Sequence, residues 1–307
     1  MDTFAGKLAL VTGGGSGMGR ELVVQLAAEG CAVAACDVRE DTAEETAALA
    51  RAAAPDGTTV TAHACDVADE AQVRRFRDEA LAAHGASHVD LVFSNAGIGG
   101  AGSFINDPRE LWERVFAVDF WGTYHCARVF LPLLMQSPEG VLVNTSSVNG
   151  FWASLGAGIP HTAYSTAKFA VKGFSEALIE DLRLSAPHVR VVLVMPGHIA
   201  TNILGNSLIA MGVPEADAME ANKGFHDTAP TSAAGAATVI LDGVRSGAWR
   251  VLVGEDAHRL DRVVRAHPED AYDYAKLAEA ITAAGGEERS LISGDLFDEL
   301  TLPGQAS

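Results

Sequence analysis

The chain has 307 residues, with 22 Lys or Arg against 40 Asp or Glu, a formal charge of −18. That balance disfavours nucleic acid and anionic membranes as partners, because both attract basic surfaces. An apolar content of 48% is ordinary for a folded globule, and the length fits one large α/β domain or two small ones.

The first apolar run, Leu8 to Val11, reads as a strand ending at Thr12 and a glycine cluster. Met18, Leu22 and Leu26 then recur at helical spacing. Five of the seven residues from Gly13 to Gly19 are glycine, which argues against a ligand-free turn. Glycines let the backbone approach a pyrophosphate, and a helix N-terminus adds free N–H groups and a positive dipole end. The spacing Gly13, Gly17, Gly19 is not G-x-G-x-x-G, and Arg20 stands where a Walker loop has its Lys.

Ala32 to Cys36 reads as the second strand, closed by Asp37. A carboxylate there can accept hydrogen bonds from an adenosine ribose and would repel a 2′-phosphate, which favours NAD over NADP. Ser16 offers that phosphate no cation, whereas Arg39 could reach it. Val60 to Cys65 ends in the same way at Asp66, and Leu91 to Phe93 runs into Ser94-Asn95-Ala96-Gly97. Asp107-Pro108-Arg109-Glu110 reads as a helix start with Asp107 as N-cap and Pro108 first in the helix. Trp112, Phe116, Phe120 and Trp121 read as core or interface residues of that helix.

Val141 to Val143 leads into Asn144-Thr145-Ser146-Ser147, Val189 to Met195 into Pro196-Gly197, and Val251 to Val253 is the last short strand. Strands alternating with helices imply a parallel, doubly wound sheet with ligands at the C-terminal strand ends. The Gly, Asp, Asn, Ser and Pro-Gly motifs all fall there.

Tyr164-Ser165-Thr166-Ala167-Lys168 places Tyr and Lys on one helical face. An ammonium stabilises a phenolate, so the pair suggests a tyrosine with lowered pKa acting as acid and base. A second copy, Tyr272 to Lys276, follows no strand or Ser motif and reads as a surface helix face.

With Thr12 to Gly19, Asn95-Ala96-Gly97, Ser147, Tyr164-x-x-x-Lys168 and Pro196-Gly197 in this order, the chain resembles the short-chain dehydrogenase/reductase family over roughly Phe4 to Val253. The resemblance implies a seven-stranded Rossmann sheet and interconversion of a secondary alcohol and a ketone with NAD. It implies Tyr164 as general acid/base, Lys168 as its pKa tuner and ribose ligand, and Ser147, rather than Ser146, as the group polarising the substrate oxygen. It further implies cofactor contacts at Gly13, Ser16, Gly17, Met18, Gly19, Asp37, Asp66, Val67, Asn95, Ala96, Gly97, Tyr164, Lys168, Pro196, Gly197, Ile199 and Thr201, and a homodimer or homotetramer. Asp119 replaces the Asn usual in the family's long central helix, whose backbone carbonyl holds a relay water. The carboxylate could pair with Lys168 or be purely structural. This departure keeps open a catalytically impaired, dinucleotide-binding regulator. The stretch from Ser147 to Tyr164 is longer than usual, so Phe151 to His161 is expected to bulge at the mouth of the site.

Residues 1–254 are expected to form one catalytic domain and 255–307 a C-terminal helical extension and tail. Leu260, Val263, Val264, Leu277 and Ile281 lie at helical spacing there and need a surface to cover. Between Thr201 and Thr228, Ile203, Leu204, Leu208, Ile209, Met211, Val213, Met219 and Phe225 suggest an apolar lid, with Phe151 and Trp152 opposite. Such a lid suits a bulky, uncharged alcohol or ketone. Alternatively, these residues pack against the extension or a second subunit. His84 and His88 read as loop residues and no metal is expected. No G-x-S-x-G elbow supports a hydrolase. The longest stretch without a charge, 140–167, is too polar to cross lipid, and no signal peptide is seen. Four cysteines without a CxxC pair fit reduced thiols in the cytoplasm.

Overall fold

A computed structural model of the chain describes residues 1–100, 102–156, 160–210 and 212–285. Met211, residues 157–159 of the expected bulge and residues 286–307 of the extension lie outside them. The first half runs β1 (Leu8–Thr12), α1 (Gly17–Ala28), β2 (Ala32–Asp37), α2 (Glu40–Ala53), β3 (Val60–Ala64), α3 (Glu70–His84) and β4 (Leu91–Ser94). There follow α4 (Arg109–Phe116), one π-helical turn (Ala117–Trp121), α5 (Gly122–Leu134), β5 (Val141–Thr145), a 3₁₀ turn (Val148–Gly150), α6 (Thr162–Ser185) and β6 (Arg190–Pro196). The last part runs β7 (Ile199–Ala200), α7 (Ile203–Ala210), α8 (Glu215–Asp227), β8 (Thr231–Ser232), α9 (Ala233–Ser246), β9 (Arg250–Val253), α10 (Glu255–Ala266) and α11 (Tyr274–Ala283).

Seven parallel strands form one sheet in the order β3-β2-β1-β4-β5-β6-β9. The order reverses beside β1, so the crevice at the C-terminal ends of β1 and β4 is where such sheets hold ligands. The central strands β1, β4, β5 and β6 are buried almost throughout because both sheet faces are covered there, whereas the edge strand β3 is only part-buried beyond Val60. Alternation sorts the strand residues: Ala9 and Val11 of β1 join one core under α1 and α9, and Leu8 and Leu10 join the other under α3 and α5.

Helix α4 starts at Arg109 with Pro108 as its cap. Asp107 is not the N-cap, because its carboxylate accepts the Ser103 N–H at 2.7 Å and closes the preceding turn. His84 belongs to the last turn of α3 rather than to a loop, and Gly85 ends that helix in the left-handed conformation (φ 58°). The four aromatic residues 112, 116, 120 and 121 do not share one α-helix. They run along α4 into the π turn, with Phe116 and Phe120 centroids 5.3 Å apart.

Helices α10 and α11 carry a small core of their own. Leu260, Val263, Val264, Leu277 and Ile281 pack with Trp152, and Trp152 Nε1 donates to Ala271 O at 2.7 Å. Arg250 of β9 makes a two-pronged ion pair with Asp261 of α10, at 3.0 and 2.6 Å. Tyr272 precedes α11 and is not part of a helix face; its hydroxyl accepts the Ala153 N–H at 3.1 Å. Among the described residues no helix is long and apolar enough to cross a membrane.

Candidate active site

The glycine turn between β1 and α1 is a cradle with no room for side chains. A Cβ on Gly13 would lie 2.8 Å from Ala96 Cα, and one on Gly19 would lie 2.0 Å from Gly13 O. Gly13 and Gly17 also adopt positive φ, 66° and 53°. Asn95 at the end of β4 closes the cradle from behind, donating from Nδ2 to Thr12 O at 3.1 Å. Helix α1 starts at Gly17, so its free N–H groups open on the same spot. This arrangement fits a dinucleotide: a glycine backbone that leaves room for the pyrophosphate, and a helix N-terminus.

Asp37 lies beside the cradle, Oδ2 accepting the Gly15 N–H at 3.0 Å. Arg39 points elsewhere. It pairs with Asp41 at 3.0 Å and with Glu215 of α8 at 3.4 Å. Asp66 pairs with Arg114 at 3.0 Å, and Val67 packs under Gly122.

A cavity of about 240 Å³ opens at the C-terminal strand ends. Met18, Asn95, Gly97, Pro196, Gly197, Ile199 and Thr201 border it on the cradle side. Ser147, Tyr164 and Lys168 share its wall. The two serines divide their work by geometry: Ser146 Oγ donates to Lys168 O at 2.8 Å, whereas Ser147 Oγ accepts the Asn149 N–H at 3.1 Å and lines the cavity beside Tyr164. Lys168 Nζ donates to Thr145 O at 3.3 Å and stands 5.2 Å from the Tyr164 ring centroid.

The expected lowering of Tyr164 by Lys168 does not dominate here. Burial raises the phenol well above its ordinary value of 10.0, the charge of Asp119 adds to the rise, and the neighbouring Ser147 hydroxyl opposes both. His161, a residue the sequence reading passed over, also lines the cavity, 4.8 Å from the Tyr164 ring, and burial lowers it to about 3. Its position before α6 was visible, but its inward direction depends on the turn that pairs it with Gly102.

Asp119 sits on the π turn, not within a regular helix. Its carbonyl accepts the Thr123 hydroxyl at 3.0 Å. Its Oδ1 accepts the Ile98 N–H at 2.9 Å and lies 3.9 Å from Lys168 Nζ.

The far wall is apolar and comes from three places: Trp152 and Leu155 after β5, Ile203, Leu204 and Phe225 from α7 and α8, and Leu260 from α10. Phe151 is not part of it, because that ring lies under the Arg250 guanidinium, 5.6 Å away. Nor do all the expected lid residues face the cavity. Helices α7 and α8 pack on each other, with Gly205 against Met219 and the Gly205 N–H donating to Asn222 Oδ1 at 3.0 Å. Leu208 is buried, and the cavity wall does not include it. His267, Glu269 and Asp270 form an exposed cluster off the cavity, where Asp270 already binds Lys276 at 2.5 Å.

The family model described as short chain dehydrogenase matches residues 7–210. SadH of Mycobacterium tuberculosis, named an oxidoreductase, is 36% identical over 267 residues, covering 86% of this chain and 92% of the relative. A short chain dehydrogenase/reductase from Burkholderia phymatum, solved in complex with NAD, has TM-score 0.76 and 30% identity, covering 88% of this chain and 96% of that one. An NAD⁺-bound xylitol dehydrogenase has TM-score 0.56 and 31% identity, covering 64% of this chain and 72% of that one.

Proposed function

The chain belongs to the short chain dehydrogenase family, and on that premise we propose that it interconverts a secondary alcohol and a ketone with NAD. The observation that carries this reading is the convergence of Ser147, Tyr164 and Lys168 on one wall of a cavity that reaches the glycine cradle. Residues 1–254 act as the catalytic domain, with α10 completing the substrate wall. The solved relatives bound to NAD support that cofactor, as do Asp37 beside the cradle and Arg39 held by two acids.

Bound NAD supplies the hydride acceptor on the cradle side of the cavity. Gly13, Ser16, Gly17, Met18 and Gly19 would hold its phosphates and Asp37 its ribose; Asp66 and Val67 would border the adenine, and Asn95, Ala96, Gly97, Pro196, Gly197, Ile199 and Thr201 would line the remainder. Ser147 Oγ and Tyr164 Oη flank the substrate oxygen. During oxidation the Tyr164 oxygen takes the hydroxyl proton, and in reduction it returns that proton to the carbonyl oxygen. Lys168 stabilises the phenolate form, and the Asp119 carbonyl holds the relay water. The apolar wall of Trp152, Leu155, Leu204, Phe225 and Leu260 excludes water and favours a bulky, uncharged substrate. Exposed Trp121 and Phe169, on the surface of the π turn and α6, provide area for a homodimer or homotetramer.

The test is absorbance in the reduced-nicotinamide band with NAD and a panel of secondary alcohols, with Tyr164→Phe as control. Turnover that vanishes in the control supports the reading. NAD binding with no turnover across the panel would instead favour a dinucleotide-binding regulator.

A further inference from the structure

Beside the cavity, behind Lys168, lies an ionisable side chain that the proton transfer above leaves unused. Asp119 is fully buried. Its Oδ1 faces Lys168 Nζ at 3.9 Å and accepts the Ile98 N–H. Its Oδ2 is buried and has no hydrogen-bond partner among the described residues. The approach depends on Gly97, where a Cβ would lie 3.0 Å from Asp119 Oδ1 and 3.3 Å from Lys168 Nζ. A carboxylate closed off from water with a spare oxygen is costly unless its charge is used or removed.

Resting on the hydride-transfer reading, we propose that the Asp119 carboxylate is a positioning residue that acts through Lys168: it holds the ammonium in place and offsets that ammonium's pull on the Tyr164 proton, so it sets the pH at which Tyr164 can take a proton from an alcohol. An ammonium near a phenol favours the phenolate, and a nearby carboxylate disfavours it. Burial raises Asp119 from 3.8 to about 6, against the pull of Lys168 and the Ile98 N–H. Above that pH it is ionised, and its charge keeps Tyr164 protonated to higher pH. The other titratable groups lining the cavity are His161 before α6, His198 on the loop after β6 and Asp256 in the first turn of α10. Burial lowers both histidines and so favours their neutral form. Among the described residues Lys168 is the one cation within 4.0 Å of Asp119.

Asp119→Asn tests this, because the amide oxygen can still accept the Ile98 N–H while the charge is gone. The expected result is a rising limb of kcat for alcohol oxidation moved about one pH unit lower, a tenfold gain at fixed pH on that limb. A purely structural role would scale the rate without moving the limb, so an unmoved limb overturns the proposal. A second measurement needs no turnover. The tyrosinate absorption of the unaltered protein, minus that of Tyr164→Phe, should appear above the ordinary tyrosine value of about 10. A Tyr164 phenolate forming below that value overturns the proposal. If no alcohol is oxidised, the hydride-transfer reading fails, while the same tyrosinate titration repeated in Asp119→Asn still decides the role of Asp119: an onset about one pH unit lower supports it and an unmoved onset overturns it.

Discussion

The main-chain N–H of His198 donates to Asp256 Oδ2 at 2.6 Å, across 58 positions of sequence. This bond joins the loop after β6 to the first turn of α10. It also explains Gly197, where a Cβ would stand 2.1 Å from the same oxygen. His198 in turn bonds through Nε2 to Phe225 O at 2.7 Å, and the two ring centroids lie 4.2 Å apart with the planes tilted by 44°. A carbonyl only accepts, so that nitrogen carries the proton. The chain of contacts runs from α10 through the loop after β6 to the wall formed by α8.

The extension is therefore expected to be needed for both stability and substrate binding. Asp256→Ala leaves a buried N–H unpaired and should cost about 1–3 kcal/mol. Truncation after Gly254 also uncovers Trp152 and should lower Tm further and raise KM. Thermal melting, light scattering and kinetics measure these effects. Unchanged Tm, mass and KM in the truncated chain would make the extension dispensable.

Tyr164→Phe should lower kcat by roughly 10²–10⁴-fold while NAD binding persists, since the ring remains and only the proton-bearing oxygen goes. Calorimetric NAD titration beside steady-state rates separates the two. A variant within a few-fold of the parent rate would show that Tyr164 is not the acid/base.

NAD should be preferred over NADP by at least ~10-fold in kcat/KM, about 1.4 kcal/mol. Asp37 opposes a 2′-phosphate, and Arg39 would have to leave Asp41 and Glu215 to greet it. Equal kcat/KM for the two cofactors would contradict this.

The raised pKa of Asp119 makes a statement about stability. Its folded value, about 6, exceeds the ordinary 3.8. Stability associated with the protonated form is fully present below 3.8 and is lost as pH rises through about 6. At about pH 8 the ionised carboxylate therefore costs up to roughly 3 kcal/mol that an amide would not. Asp119→Asn should retain substantial activity. Its Tm advantage over the parent should grow between about pH 4 and pH 8. An advantage independent of pH would show that Asp119 is not ionising in that range.

Substrate size should matter in the direction set by the apolar wall. kcat/KM is expected to rise from 2-propanol to large aryl or cyclic secondary alcohols, as more apolar surface is covered by Trp152, Phe225 and Leu260. A flat or falling series would remove that wall from substrate recognition.

Much of this site could be read from sequence because its parts are local. Gly13 to Gly19, Asp37 and Ser147 each act within a few residues of a strand end, a parallel sheet gathers its strand ends on one edge, and the Tyr164–Lys168 spacing is one turn of α6. The central strand runs were legible for a related reason: strands covered on both faces are apolar almost throughout. Helix starts were less so. Asp107 has the composition of an N-cap, but Ser103 claims its carboxylate.

Contacts between distant segments were decided by the tertiary structure alone. The sequence placed apolar residues in α7 and α8 without saying which face each other and which face the cavity; packing assigned Met219 to Gly205 and Phe225 to the cavity wall. It marked Asp119 as a departure without saying what the carboxylate meets, which depends on the closeness of α6 and the π turn at Gly97. It offered Tyr272 as half of a surface pair, whereas the fold spends its hydroxyl on Ala153. The physical reason is common to all three. Periodicity and spacing report what a residue's own element does with it, and side-chain direction against another element is fixed only when the cores close.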